Sequence, residues 1–368
     1  MSTSPAEQET EARDLTLIDP FVVAFDIWEE ARPYLHLFVD EQEMALVVAM
    51  QGRSMTREEV SGLLGMGQDE TAEFLRHCYA RHIVNKTVEE GITVYTASSF
   101  PDRLNHFAKF EAWDEIPAAD RRAMDHRFLN EFVAKHRYSI EQRMEGLDTK
   151  DAVPNDAILL LNEVEEMIDA ASHIIVQPCD CRRLGQNCDR PVETCIWMDA
   201  LALESLDRGI GRRLSREEAK ELVRWADKQG LMHTGDASAL LSTGASALLS
   251  TSASTLLRTG SEARTRGMGA ICNCCACDCY PFRAAQELGS KGVWPRSRYV
   301  ASHDTELCTS CGACVKRCHF NAFYHDGTVV EIDGKARKNI VYDPQRCWGC
   351  GLCANTCPSQ AIVMQPCT

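Results

Sequence analysis

The sequence predicts an α+β chain in three parts: a helical N-terminal half that includes a β-hairpin, a cysteine-rich middle, and a small C-terminal unit built on a repeat. Three observations predict it. Helical spacing with capping residues dominates the first half. Nine cysteines cluster in two groups in the middle. Near the C-terminus one four-cysteine spacing occurs twice, as Cys308-x2-Cys311-x2-Cys314-x3-Cys318 and Cys347-x2-Cys350-x2-Cys353-x3-Cys357-Pro358.

The first element is a disordered N-terminus over residues 1–14, acidic and polar. It has neither the cationic start nor the apolar stretch of a signal peptide. Residues 15–100 form the next part. Glu41 to Gln51 carries Met44, Leu46, Val47 and Val48 at near-helical spacing, and Thr56 with Glu59 makes a capping box for the following helix. Gly65 and Gly67 turn the chain into a helix from about Gln68 to His82. A hairpin follows, with Ile83 to Val88 and Ile92 to Tyr95 as its arms. This order resembles a winged helix. Its recognition helix would open on Asp69, Glu70 and Glu73, against which stand only Arg76 and Arg81, so docking or homodimerisation is expected of it rather than DNA binding.

Residues 101–172 are expected to be helical. Leu129, Phe132 and Val133 mark one helix, and Ile158, Leu159, Leu161, Val164, Met167 and Ile168 mark another. His106, His126 and His136 are scattered without partners at ligand spacing.

The middle region spans 173–299. Its first cysteine group is Cys179, Cys181, Cys188 and Cys195; its second is Cys272, Cys274, Cys275, Cys277 and Cys279. Free thiols at this density oxidise readily, so at least one further metal centre is expected, a third 4Fe–4S cluster or, alternatively, structural zinc. Were the second group extended, Cys275, Cys277 and Cys279 would face one side and Cys272 and Cys274 the other. Cys274 and Cys275 would then serve different centres, or one of them would not be a ligand. Arg182 and Arg183 stand ready to offset an anionic cluster or to bind an anionic group. Between the groups an αα element is expected, amphipathic from Cys195 to Asp207 and then capped by Ser215 and Glu218 up to Gly230. Three octapeptides over 237–260 (ASALLSTG, ASALLSTS, ASTLLRTG) predict a low-complexity insert over 236–262.

The C-terminal unit covers 300–368. Its two runs have the spacing by which bacterial ferredoxins hold paired 4Fe–4S clusters: three thiolates come from a tight loop and the fourth from the other run. Cys308, Cys311, Cys314 and Cys357 therefore belong to one cluster, and Cys347, Cys350, Cys353 and Cys318 to the second. His319 stands where the second copy has Pro358. It is either a tolerated substitution or an imidazole that tunes the nearby cluster. Tyr324 to Gln345 is a small β excursion with Asp326-Gly327 and Asp333-Gly334 as turns.

Composition narrows the function. The 368 residues are 45% hydrophobic, enough for two or three cores, and carry a net charge of −15, which disfavours nonspecific nucleic-acid binding and suits docking to basic patches on redox partners. Cysteines kept reduced for metal place the chain in a reducing cytoplasm. No stretch of about 18 uninterrupted apolar residues predicts a membrane span. Without a Gly-x-Gly-x-x-Gly after a strand or a P-loop, no flavin, nicotinamide or ATP is expected.

Taken together, the chain resembles a family of ferredoxin-like proteins of anaerobic bacteria and archaea that join a winged-helix-like N-terminus to a cysteine-rich middle and a C-terminal dicluster domain. The resemblance rests on Cys179-Asp180-Cys181-Arg182, Cys188, Pro191, Cys195, Arg208-Gly209, Ser215-Arg216-Glu217-Glu218-Ala219, Gly230-Leu231-Met232-His233, Ile271-Cys272-Asn273-Cys274-Cys275, Ser297-Arg298-Tyr299-Val300 and both C-terminal runs. It implies electron transfer in anaerobic metabolism. An electron-transfer protein, or an electron-transfer subunit of an oxidoreductase, is expected ahead of a stand-alone enzyme. The rivals are a reductase whose middle centre binds substrate near Arg182, Arg183 and His233, and a cluster-bearing DNA-binding regulator.

Overall fold

The computed structural model describes residues 17–147, 157–235 and 268–367. The expected disordered N-terminus and the octapeptide insert lie outside these residues. The chain divides into two compact units.

The first unit holds residues up to Phe128 together with Arg183–Gly185 and Arg208–Ile210. Helix α1 (Glu41–Met50) starts at Asp40, whose carboxylate accepts the Glu43 N–H while Glu43 accepts the Asp40 N–H. Strand β1 (Met55–Thr56) leads into α2 (Arg57–Leu64), which opens on the expected Thr56–Glu59 capping box. Helix α3 (Gln68–Ala80) precedes the hairpin of β2 (Val84–Glu89) and β3 (Ile92–Ala97). Glu90 and Gly91 both take positive φ (49° and 84°), the backbone of a two-residue turn whose twist suits a hairpin. The sheet order is β1-β3-β2. Leu46, Val47, Val60, Leu75 and Cys78 are all buried in this unit. Arg81 places Nη1 2.6 and 2.7 Å from the two oxygens of buried Glu43. One of the two basic residues on the expected recognition helix is therefore spent inside the unit. Helix α4 (Phe100–Phe110) carries the fully buried Arg103, which pairs with Glu111, and the long α5 (Ala118–Met144) follows.

The second unit is organised by an antiparallel sheet in the order β4-β8-β9-β6-β5-β7. Its strands are β4 (Ala157–Leu159), β5 (Ile174–Pro178), β6 (Glu193–Met198), β7 (Arg212–Arg213), β8 (Met232–Gly235) and β9 (Met268–Cys274). This sheet corrects two sequence expectations. Ile158 and Leu159 are strand, not helix: they pair with Thr234 and His233, and the helix starts only at Leu161, as α6 (Leu161–Ala170). Three apolar residues are too short a run for periodicity to tell strand from helix. Alternation gives the reason for the strand, because Ala157 and Leu159 enter one core and Ile158 the other. Likewise Cys195 to Met198 lie in β6, and the helix begins only at Asp199, as α8 (Asp199–Asp207) after the short α7 (Asp180–Gly185). Helix α9 (Arg216–Lys228) starts on the expected Ser215–Glu218 box.

One face of the sheet packs Ile196, Met198 and Ile271 on Val164, Met167, Ile168 and Val223. The other packs Ile158, Met232 and Cys274 with Phe282, Trp294 and Trp348. Helix α10 (Tyr280–Leu288) follows the second cysteine group.

The C-terminal part is bracketed by β10 (Tyr299–His303) and β15 (Ile362–Pro366), paired from Tyr299↔Pro366 to His303↔Ile362. Within it lie α11 (Ala313–Arg317) and α12 (Leu352–Asn355), one after each cysteine loop. The repeat is written into the backbone. Ser310 and Gly349, Gly312 and Gly351, and Asn321 and Gln360 are left-handed in matching pairs. Gly349 has a further reason to lack a side chain, since a Cβ there would stand 2.0 Å from the Tyr299 carbonyl oxygen. In the excursion between the runs β11 (Phe323–Tyr324) pairs with β14 (Val341–Tyr342), and β12 (Val329–Ile332) forms a hairpin with β13 (Lys335–Lys338), turned at Asp333-Gly334.

Candidate metal centres

The C-terminal thiols line two cavities. Cys308, Cys311, Cys314 and Cys357 share one. Cys318, Cys347, Cys350 and Cys353 share the other. Each cavity draws three thiols from one loop and the fourth from the other repeat. The walls are apolar, with Ile340, Ala361 and Ile362 at the first and Phe320, Phe323, Trp348 and Leu352 at the second. Backbone N–H groups point at the sulfurs: Ser310 to Cys308 and Gly349 to Cys347, both at 3.4 Å, and Ala322 to Cys318 at 3.1 Å. Burial pushes the Cys314 and Cys350 thiols up to about 12, so a bound cation is needed to ionise them at neutral pH. Four sulfur donors, a dry wall and N–H donors to sulfur suit a 4Fe–4S cubane.

His319 does not form a wall of either cavity. Its Nε2 donates to the Gly230 carbonyl at 2.7 Å. Nearby, Arg317 Nη1 donates to Asp227 O at 3.0 Å and Asn355 Nδ2 to Asp227 Oδ1 at 2.7 Å. These three residues hold the end of α9.

The nine middle cysteines separate into two sets. Six form a closed ring of thiol contacts: Cys179 with Cys181, Cys181 with Cys279, Cys279 with Cys274, Cys274 with Cys272, Cys272 with Cys195, and Cys195 with Cys179. Cys279 and Cys274 stand 3.2 Å apart. Strands β6 and β9 supply Cys195, Cys272 and Cys274. Cys179 and Cys279 are the N-cap residues of α7 and α10. For Cys279, burial works to raise the thiol pKa. Hydrogen bonds from Cys181 and Cys274 and the Phe282 N–H outweigh it and bring the thiol down to about 7.

The other three, Cys188, Cys275 and Cys277, gather around Asp278. Cys274 and Cys275 thus lie in different sets. The chain does not stay extended, however. It turns after β9, so Cys279 joins Cys272 and Cys274 instead of Cys275 and Cys277.

Arg182 is buried beside both sets. Nε donates to Pro191 O at 2.9 Å, Nη1 to Asn273 O at 2.7 Å, and Nη2 to Thr194 Oγ1. Nη1 also lies 4.0 Å from Cys275 Sγ. Thiolates of Cys179, Cys195, Cys275 and Cys274 hold its guanidinium charged against the desolvation that opposes it. All three nitrogens thus have protein partners, and Arg182 suits a counter-ion better than a substrate clamp. Arg183 donates to Ala108 O at 2.7 Å. His233 is buried, with Nδ1 2.7 Å from Asn273 Oδ1. Cys78 is buried in the first unit, and Cys367 is exposed.

Asp278 is the residue that sequence reasoning missed. Its position between two cysteines, in Cys277-Asp278-Cys279, was the available signal.

The chain matches no curated protein and no solved structure. Residues 307–361 match the family model of the 4Fe-4S dicluster domain, and among the described residues no helix is long and apolar enough to cross a membrane. The C-terminal part of this chain is accordingly that of a ferredoxin-like 4Fe–4S protein.

Proposed function

We propose that the chain is an electron-transfer protein, or the electron-transfer subunit of an anaerobic oxidoreductase, working in the cytoplasm. Two C-terminal 4Fe–4S clusters and a third iron–sulfur centre in the six-thiol ring would form its relay. The observation that carries this reading is the crossed pair of four-thiol cavities, each within a domain type that holds such clusters. When bound, the clusters supply one-electron chemistry; the chain's residues bind, orient and shield them. Phe282, Phe320 and Trp348 bridge the ring side and the second cavity. Phe320 stacks on Trp348 at 4.5 Å between centroids, and Phe282 lies 5.5 Å from Trp348. These rings belong to one apolar core with Cys279 of the ring and Cys350 of the second cavity. The first unit, read as winged-helix-like, is proposed as a docking or homodimerisation module. Its Arg81 is engaged by Glu43, which weakens the DNA-binding reading.

Anaerobic purification with iron and acid-labile sulfide counted per chain tests this. About twelve irons are expected, four for each centre. Replacing Cys318 by Ser should disturb the cluster of Cys347, Cys350 and Cys353 and spare that of Cys308, Cys311 and Cys314. Native protein without labile sulfide would refute the reading.

A further inference from the structure

The three thiols outside the ring have a geometry of their own. Cys188 Sγ lies 3.8 Å from Cys275 Sγ. Asp278 Oδ2 lies 3.1 Å from Cys188 Sγ, 3.3 Å from Cys275 Sγ and 3.5 Å from Cys277 Sγ. All four donor atoms fall within 4.8 Å of one another. A metal ion with sulfur ligands at about 2.3 Å and an oxygen at about 2.0–2.2 Å spaces tetrahedral neighbours by about 3.8 Å (S···S) and about 3.5 Å (S···O). The Cys188–Cys275 distance of 3.8 Å equals the first value, and the three S···O distances, 3.1–3.5 Å, run up to the second.

Asp278 strengthens the case. It is fully buried, and its Oδ1 accepts the Asn187 N–H at 2.8 Å, which turns Oδ2 toward the three sulfurs. The three thiols all donate to Oδ2, so the four donor atoms already converge on one point. Ala226 and Leu231 pack on the set and keep it dry.

We propose that Cys188, Cys275, Cys277 and Asp278 hold one zinc ion, four-coordinate and structural, separate from the six-thiol ring. The inference rests on reading the middle cysteines as metal ligands, and it goes further by dividing them into two centres of different kinds. Binding displaces three thiol protons to solvent, and no electron moves. The resulting unit carries two net negative charges, and Arg182, at 4.0 Å from Cys275 Sγ, offsets part of them. With no open coordination position the ion pins the turn after β9 to the loop carrying Cys188.

Zinc K-edge absorption on native, anaerobically purified protein tests this directly. The expected result is one zinc per chain with three sulfurs at about 2.3 Å and one oxygen at about 2.0 Å. Absence of zinc, or a shell of four sulfurs without oxygen, would overturn it. As a second arm, Cys277→Ser should lose at least nine-tenths of its zinc while keeping the wild-type labile sulfide. Loss of sulfide with zinc retained would assign these thiols to a cluster instead. Failure of the electron-transfer reading would register differently, as missing sulfide in the native protein.

Discussion

Eight thiols at the C-terminus and nine in the middle share one chemistry and differ in how the chain brings them together. The C-terminal eight sit on two short loops of a repeat, and matched left-handed residues curl each loop around its cavity. The middle nine come from strands β6 and β9, the starts of α7 and α10, and two turns, assembled across a six-stranded sheet. A locally coded site needs only its loop to be right. A sheet-assembled site depends on register and on a buried counter-ion.

Replacing that counter-ion should separate the two regions most sharply. Arg182→Met leaves the surrounding thiolates without their buried cation and the Asn273, Thr194 and Pro191 acceptors without a donor. A loss of about 3–5 kcal/mol is expected. Labile sulfide assayed after mild warming should fall by about a third, to the share held by two of three clusters. Equal loss from both regions would erase the distinction.

The converse test acts on the C-terminal loop. Gly349→Ala sets a Cβ against the Tyr299 carbonyl at a residue with φ of 72°. The strain is expected to cost about 3 kcal/mol. Bleaching of the second C-terminal cluster should speed up while zinc content stays constant. Unchanged bleaching would show that β10 yields freely to the loop.

The smallest effect concerns His319→Pro, which restores the symmetry of the repeat. It removes the hydrogen bond to Gly230 O. A loss of about 1 kcal/mol in thermal stability is expected, with both C-terminal clusters retained. A large change in reduction potential at unchanged stability would instead make His319 a tuning residue.

This contrast also explains what was legible beforehand. The capping boxes at Thr56 and Ser215, the hairpin turn at Glu90-Gly91 and the β excursion between the runs are local, and short-range chemistry announced each. The strand at Ala157–Leu159 was not legible, because only its pairing with β8 distinguishes it from the start of α6. Alternation separated Cys272 and Cys274 from Cys275 and Cys277, but the place of Cys279 and the joining of the two cysteine groups were hidden for the same reason. Cys179 and Cys279 are about a hundred residues apart and join one ring through the placement of two helix starts, a tertiary fact that no spacing states. Asp278 was hidden because one carboxylate among many acidic residues has no sequence mark beyond its cysteine neighbours.

The central claim is that the crossed C-terminal thiols hold two clusters close enough to exchange electrons. Electron paramagnetic resonance of the anaerobically purified, dithionite-reduced protein tests it most directly. Two reduced clusters in neighbouring cavities should broaden and split each other's signals, and Cys318→Ser should abolish that splitting, leaving only the signals of the first C-terminal cluster and the six-thiol centre. A spectrum of isolated clusters in the native protein, or none at all, would contradict the account.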